Sequence, residues 1–238
     1  MELLELTLYL SGLGIGILLF FQPRWLLSIA LLTTPGVVYF VETNEPVVAL
    51  TLDDGPDSTT TPKILNLLLD YKVHATFFLI STRIFGNETI VTEIVRQGHE
   101  LGNHLTDDKP SIRMSTLEFE AKLLEAQKIL GKFAETHWLR PSSGFYNTKM
   151  LDIAYKYGYR IALGSIFPYD THIPSSWFAS KHILSNVSPG SIIILHDGGY
   201  RGERTVSTLK TILPKLSQRG YQVVTLSKLL TFQPKKSD

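Results

Sequence analysis

The chain has 238 residues, of which 44% are apolar and 19% are charged. This length and composition predict one large globular domain or two small ones and exclude a disordered chain. The 23 Lys and Arg residues nearly balance the 22 Asp and Glu residues, and the net charge of +1 gives no basis for nucleic-acid binding. Cysteine is absent, which excludes disulfides, thiolate metal ligands and cysteine nucleophiles.

An uncharged, apolar segment is the first feature in chain order. No charged residue occurs between Leu6 and Pro23, and a membrane-spanning helix needs about 17 to 25 predominantly apolar residues. We therefore predict that residues 1–34 form a hydrophobic membrane-anchor segment that begins with a transmembrane helix; a buried core helix is the alternative interpretation. The acidic start MELLE is unlike the basic start of a cleaved signal peptide.

Short β-branched runs alternate with amphipathic helical patterns between residues 35 and 232. The runs that we expect to form buried strands are residues 37–41, 47–52, 75–80, 161–163, 192–195 and 223–226. Helical spacing occurs at residues 64–71, 119–130 and 206–216, although Pro214 should kink or break the last of these helices. This alternation predicts an α/β domain of parallel strands covered by helices, as a closed or partly closed (β/α) barrel or an open sheet. We expect residues 233–238 to be a frayed tail.

Polar side chains stand where several of the apolar runs end. Four segments carry them: TLDDGP with Asp53 and Asp54, GHELGNHLTDDKP with His104 and Asp108, WLRPSSG with Arg140, and IIILHDGG with His196 and Asp197. Active groups of barrels and open α/β sheets lie at the carboxyl ends of the strands, so we expect these segments to form one site.

Two of these segments suggest a metal centre. His104 and Asp108 are four residues apart, so that on a helical turn both side chains would lie on one face. An imidazole and a carboxylate can bind a divalent cation, with Asp54 or Asp53 as the third ligand. Neighbouring carboxylates in a turn point in different directions, so one can bind the metal while the other acts as a base. His196 could then be the general acid. Each motif alone also has an ordinary structural explanation, so this interpretation depends on their joint occurrence.

Taken in order, the motifs resemble those of the polysaccharide deacetylases, carbohydrate esterase family 4. TLDDGP resembles the family's T-F-D-D-G-P, and GHELGNH leads into its H-[ST]-x-x-H motif. RPSSG stands where R-P-P-Y-G is usual, SIFPYD stands at the D-x-x-D-W motif, and ILHDG resembles L-x-H-D. The resemblance spans about residues 36–230. It implies a distorted (β/α) barrel and hydrolysis of N-acetyl, or in some members O-acetyl, groups on a glycan.

The resemblance also implies roles for the catalytic residues. Asp53 would be the general base, and Arg140 would hold it in position. His196 would protonate the leaving amine, and Asp170 would orient His196.

The implied cofactor is one divalent metal ion, with zinc expected and cobalt, manganese or nickel as alternatives. Asp54 and His104 would be two of its ligands. The family's second histidine is Asp108 here, so the third ligand would be a carboxylate. Asp107 is an alternative, although its spacing matches the family less well.

The residues expected to contact the substrate match the family motifs less closely. Leu195 would line the acetyl pocket, and the backbone N–H of Ser143 would help to bind the oxyanion in place of the family's tyrosine. Phe167 and Thr171 replace the first Asp and the Trp of the fourth motif. This change suggests that ordinary chitin oligomers are not the substrate.

The implied partner is an acetylated glycan. Acetylated structural glycans lie outside the cytoplasm, so we expect a membrane-anchored protein with an extracytoplasmic catalytic domain, although Arg24 after the apolar segment weakly favours the opposite orientation. A catalytically silent glycan-binding protein on the same fold is the alternative function.

Overall fold

The computed structural model describes residues 2–21, 23–33 and 36–234. The helices are α1 (Glu2–Phe21), α2 (Arg24–Thr33), α3 (Thr61–Asp70), α4 (Glu88–Arg96), α5 (Thr116–Leu130), α6 (Thr148–Lys156), α7 (Ser176–Asn186), α8 (Gly199–Gln218) and α9 (Leu226–Leu230). The strands are β1 (Val37–Val38), β2 (Val47–Asp53), β3 (Thr76–Leu79), β4 (Glu100–Asn103), β5 (Trp138–Leu139), β6 (Arg160–Ala162), β7 (Ile192–His196) and β8 (Gln222–Val224). The predicted tail, residues 233–238, lies mostly outside the described residues.

The strands form one parallel sheet in the order β1-β6-β5-β4-β3-β2-β7, and β8 also pairs with β2. The edge strands β1 and β7 are not joined by a ladder. Only two isolated bridges approach this gap in the described part of the chain, Phe40 with Ser191 and Ile166 with Ile193. The sheet is therefore a curled half-barrel, which agrees with the predicted distorted (β/α) barrel.

Strand β2 lies between β3 and β7, inside the sheet, and both of its faces are apolar. All seven of its residues are buried, as expected for a parallel strand covered on both sides. Val48 and Leu50 belong to the core cluster beneath α3 and α8, whereas Val47 and Ala49 pack into a second cluster on the other face. The carboxyl end of β2 thus presents Asp53 between the carboxyl ends of β3 and β7.

Two local predictions differ from the structure. Pro214 does not break its helix, since α8 continues to Gln218. Buried Leu209, Leu213 and Leu216 hold α8 against the core, and this packing compensates for the hydrogen bond that proline cannot donate. Strands β4 and β5 have no counterpart among the predicted strands.

The predicted transmembrane helix is not supported. Residues 2–21 do form helix α1, but no helix in the described part of the chain is long and apolar enough to cross a membrane. The uncharged part of α1 runs from Leu6 to Phe21, about 24 Å at about 1.5 Å per residue, whereas the hydrocarbon core of a bilayer is about 30 Å thick. The predicted boundary at residues 34 and 35 lies outside the described residues.

Candidate active site

A cavity of about 590 Å³ opens at the carboxyl ends of the strands. It brings together most of the predicted site residues, and they come from all four motif segments. Those that line it are Asp53, Asp54, His104, Asp108, Arg140, Ser143 and His196. The polar residues at the strand ends therefore do meet at one cavity, as expected from their positions.

Asp53 and Arg140 form a buried ion pair on the floor of this cavity. The Nη1 of Arg140 lies 2.5 Å from Oδ1 of Asp53 and also donates to Oγ1 of Thr51 at 2.8 Å. Its Nε donates to the carbonyl of Ala162 in β6, and its guanidinium lies over the ring of Phe78. Arg140 thus fixes one oxygen of the Asp53 carboxylate, as predicted for a residue that holds the base.

Asp54 and His104 form a second buried pair. Oδ1 of Asp54 lies 3.4 Å from Nε2 of His104, and both residues are almost completely buried. Nδ1 of His104 lies 2.6 Å from the carbonyl oxygen of Arg140, to which it donates, and Nε2 is the ring nitrogen on the side of Asp54. Burial alone would raise the pKa of Asp54, but His104, His196 and Arg83 outweigh it and hold this pKa far below its usual value. Asp54 is therefore an ionised carboxylate held beside the ring of His104.

His196 and Asp170 form the third pair. Nδ1 of His196 lies 3.0 Å from each oxygen of the Asp170 carboxylate, which also accepts a hydrogen bond from the backbone N–H of His196. Burial lowers the pKa of His196, but the charge and hydrogen bond of Asp170, with Asp53 and Asp54 adding, leave this pKa above its usual value. Asp170 therefore orients a histidine that stays protonated at higher pH than a free imidazole.

The chain also matches a known protein family. Residues 40–162 match the family model of the polysaccharide deacetylases. The chain belongs to this family.

Similar proteins in the family include both enzymes and a pseudoenzyme. A peptidoglycan-N-acetylglucosamine deacetylase of Bacillus cereus is 37% identical over 203 residues, which cover 84% of this chain and 95% of that protein. A crystal structure of a peptidoglycan N-acetylglucosamine deacetylase has a TM-score of 0.80 at 29% identity and covers 87% of this chain and 98% of its own. A mutant of a family pseudoenzyme from Bacillus anthracis, with restored enzymatic activity, has a TM-score of 0.77 at 25% identity and covers 85% of this chain and 74% of its own.

Asp108 departs from the geometry predicted for the metal centre. Residues 104–110 do not form a helical turn, because Leu105 takes a left-handed conformation with φ of 64°. The side chain of Asp108 is 64% exposed and lies 3.4 Å from Nη2 of Arg83. Asp107, the alternative ligand, pairs with Lys122 at 2.5 Å. No three His, Asp or Glu residues in the described ranges lie close enough to hold a metal ion, so the predicted three-ligand set is not assembled.

Leu195 is also misplaced in the sequence interpretation. It is fully buried in the core cluster, whereas its neighbour Ile194 lines the cavity. Side chains alternate between the two faces of a strand, so the residue that shares the face of His196 is two positions before it. This alternation would have identified Ile194 from the sequence.

Two arginines of the site were missed. Arg83 donates from Nη1 to the backbone carbonyl of Asp54 at 2.6 Å, and Arg201 donates from Nη1 to Oδ2 of Asp54 at 3.2 Å. Arg83 follows the predicted strand 75–80 by three residues, so the criterion that found the other groups would have found it as well.

Asp197 has a structural role next to the site. It is buried and accepts hydrogen bonds from the hydroxyls of Thr60 and Thr61 and from the backbone N–H of Gly198 at 2.7 Å. These contacts tie the loop after β7 to the start of α3.

Proposed function

We propose that this polysaccharide deacetylase is a metal-dependent hydrolase that removes N-acetyl groups from a cell-wall glycan. The observation that carries the proposal is the convergence of three pairs on one cavity: Asp53 with Arg140, Asp54 with His104, and His196 with Asp170. A base, a cation-binding pair and an acid are the groups that amide hydrolysis requires.

Asp54 and His104 fit a divalent cation. Two ligands at about 2.0–2.1 Å from a tetrahedral ion are about 3.3 Å apart, and Oδ1 of Asp54 lies 3.4 Å from Nε2 of His104. The hydrogen bond from Nδ1 of His104 to a carbonyl oxygen is the usual support of a metal-binding histidine. Zinc is the expected ion, with cobalt, manganese or nickel as alternatives. When bound, such an ion polarises the acetyl carbonyl and makes the attacking water more acidic.

The remaining steps are carried out by side chains and one backbone group of the protein. Asp53, held by Arg140, accepts the proton of the attacking water. The backbone N–H of Ser143 donates to the oxyanion that forms as the carbonyl carbon becomes tetrahedral. His196 then donates its Nε2 proton to the departing nitrogen, because an amine leaves only after protonation. The same groups could hydrolyse an O-acetyl ester, which differs in its leaving group.

The proposed substrate is N-acetylated peptidoglycan. Both the similar Bacillus cereus protein and the similar crystal structure are peptidoglycan N-acetylglucosamine deacetylases. This polymer lies outside the cytoplasmic membrane, so the proposed location of the catalytic domain is extracytoplasmic.

A catalytically silent glycan-binding protein is the second candidate function. It is favoured by the exposed side chain of Asp108 at the position of the family's second metal histidine. The retained base, acid and orienting residues favour the enzyme, because glycan binding alone requires none of these pairs.

Acetate release separates the two functions. The purified chain would be stripped with a chelator, supplied with zinc, cobalt, manganese or nickel, and incubated with peptidoglycan, chitin oligomers and acetylxylan. We expect metal-restored release of acetate from N-acetylated peptidoglycan. Binding of these glycans without release of acetate under any metal would favour the silent protein.

A further inference from the structure

Asp54 takes a backbone conformation that needs support. Its φ of 71° lies in the left-handed region, which residues other than glycine adopt at a cost of about 1 kcal/mol or more unless their surroundings stabilise it. This conformation aims the Asp54 carboxylate at His104 while Asp53 is aimed at Arg140. Whatever holds the backbone of Asp54 therefore also sets the position of a proposed metal ligand.

Arg83 provides this support from the turn that follows β3. Its Nη1 donates to the carbonyl oxygen of Asp54 at 2.6 Å, the shorter of the two arginine contacts to this residue. Arg201 binds Oδ2 of the Asp54 carboxylate, which leaves Oδ1 on the side of His104. Arg83 thus holds the backbone of Asp54, and Arg201 holds its side chain.

Asp108 contacts the same guanidinium through its other terminal nitrogen. Its Oδ2 lies 3.4 Å from Nη2 of Arg83, while Nη1 of Arg83 binds Asp54. A planar guanidinium can hold two oxygens in fixed directions, and an ammonium group cannot reproduce this geometry. Arg83 thus links Asp108 to Asp54.

We propose that Arg83 is a positioning residue for Asp54, and that Asp108 acts through Arg83 rather than as a third metal ligand. The inference rests on the proposed metal-dependent function. It also explains why an exposed aspartate stands where the family has a histidine: the aspartate holds the arginine that holds the remaining ligand.

Zinc affinity tests the role of Arg83. Arg83→Lys keeps the positive charge, so its effect on zinc binding reports geometry rather than charge repulsion. We expect zinc affinity, measured by competition with a chromophoric chelator on the full chain, to fall about tenfold or more, as is typical when a group that orients a metal ligand is lost. The matched control is Arg96→Lys, which alters an exposed ion pair with Glu93 in helix α4.

Asp108→Ala tests the second half of the proposal, alone and combined with Arg83→Lys. Because the Asp108–Arg83 pair is exposed, we expect the single variant to lose about fivefold in zinc affinity or less. The double variant should bind zinc no more weakly than Arg83→Lys alone. The absorption spectrum of the cobalt-loaded protein should not change in Asp108→Ala, because the set of ligands stays the same.

The outcomes are distinguishable from failure of the proposed function. If the parent chain binds neither zinc nor cobalt, the metal-dependent function itself fails. If the parent binds zinc and Arg83→Lys binds it as tightly as Arg96→Lys does, the positioning role is overturned. A large loss of zinc affinity in Asp108→Ala, added to that of Arg83→Lys in the double variant and accompanied by a changed cobalt spectrum, would show that Asp108 is a ligand. Circular dichroism of each variant shows that the change in affinity does not come from unfolding.

Discussion

Asp53 and Asp54 are adjacent, yet their carboxylates meet different partners. Asp53 ends strand β2 in an extended conformation and faces Arg140, whereas left-handed Asp54 faces His104. Two like charges at a strand end are tolerated because each has its own polar partner and because the chain turns between them. This separation allows one carboxylate to act as a base while the other binds a cation.

Asp53→Asn is the direct test of the base. The amide still accepts a hydrogen bond from Arg140 but cannot take a proton from water, so we expect acetate release to fall about 100- to 10,000-fold. Zinc affinity should be largely unchanged, because Asp54 and His104 are untouched. Thermal stability should decrease, because the buried Arg140 loses its counter-charge. Acetate release at the parental rate would show that another group is the base.

Asp170→Asn tests the acid through its pH dependence. His196 must be protonated to donate, so activity should be lost as pH rises through the pKa of His196. Asp170 raises this pKa against the effect of burial, and its neutralisation should therefore move the alkaline limb of kcat/KM to lower pH. The pH profile of kcat/KM measures the shift, with exposed Asp152→Asn as control. An unchanged alkaline limb would show that Asp170 does not raise the pKa of the general acid.

At the scale of elements, the long or strongly periodic parts of the chain were predictable and the short ones were not. Strand β2 and helix α5 follow from apolar runs and helical spacing, and the buried strand ends led to Asp53 and His196. Strand β4 was missed because its sequence ELGN has a single apolar side chain and no β-branched residue, and β5 has only two residues. The loop after His104 was wrongly interpreted as a helical turn, because a spacing of four residues carries no information about the left-handed Leu105.

His99, just before β4, makes the stability of this part of the sheet dependent on pH. It is 7% exposed, its Nδ1 accepts a hydrogen bond from the backbone N–H of Ala75, and the ring of His74 lies 5.7 Å away. Burial, with a smaller effect of His74, lowers the pKa of His99 to about 4. The unfolded chain, with a pKa near 6.5, therefore binds more protons than the folded chain between these values.

We expect the free energy of unfolding to fall by about 2–3 kcal/mol as pH decreases from about 6.5 to about 4, beyond the loss caused by other groups. His99→Gln, whose side-chain oxygen can still accept from Ala75, should remove this part of the pH dependence. Denaturant unfolding at a series of pH values measures it, and His137→Gln at an exposed position is the control. Parallel pH curves for the parent and His99→Gln would contradict the linkage.

At the scale of the whole molecule, the half-barrel has to be closed between β1 and β7 by something other than a ladder. Arg24, the first residue of α2, lies across this gap. Its Nη2 donates to the carbonyl oxygens of Ser188 and Pro189 and to Oγ of Ser191, just before β7. Its guanidinium lies 5.0 Å from the centre of the ring of Phe40, just after β1. Phe40 and Ser191 are themselves joined by an isolated bridge, so one side chain reinforces the closure from both sides.

Arg24→Ala should therefore destabilise the domain without affecting its chemistry. Hydrogen bonds to charged groups contribute about 1.5–3 kcal/mol, and a chain of this size loses about 2–4 °C in Tm per kcal/mol, so we expect a decrease in Tm of about 3–12 °C. Acetate release at 25 °C should stay at the parental rate, because Arg24 does not line the cavity. Exposed Arg113→Ala is the matched control for the loss of a positive charge. If both variants melt at the same temperature, the closure does not depend on Arg24 and the gap between β1 and β7 is held by the packing of Phe40 and its neighbours alone.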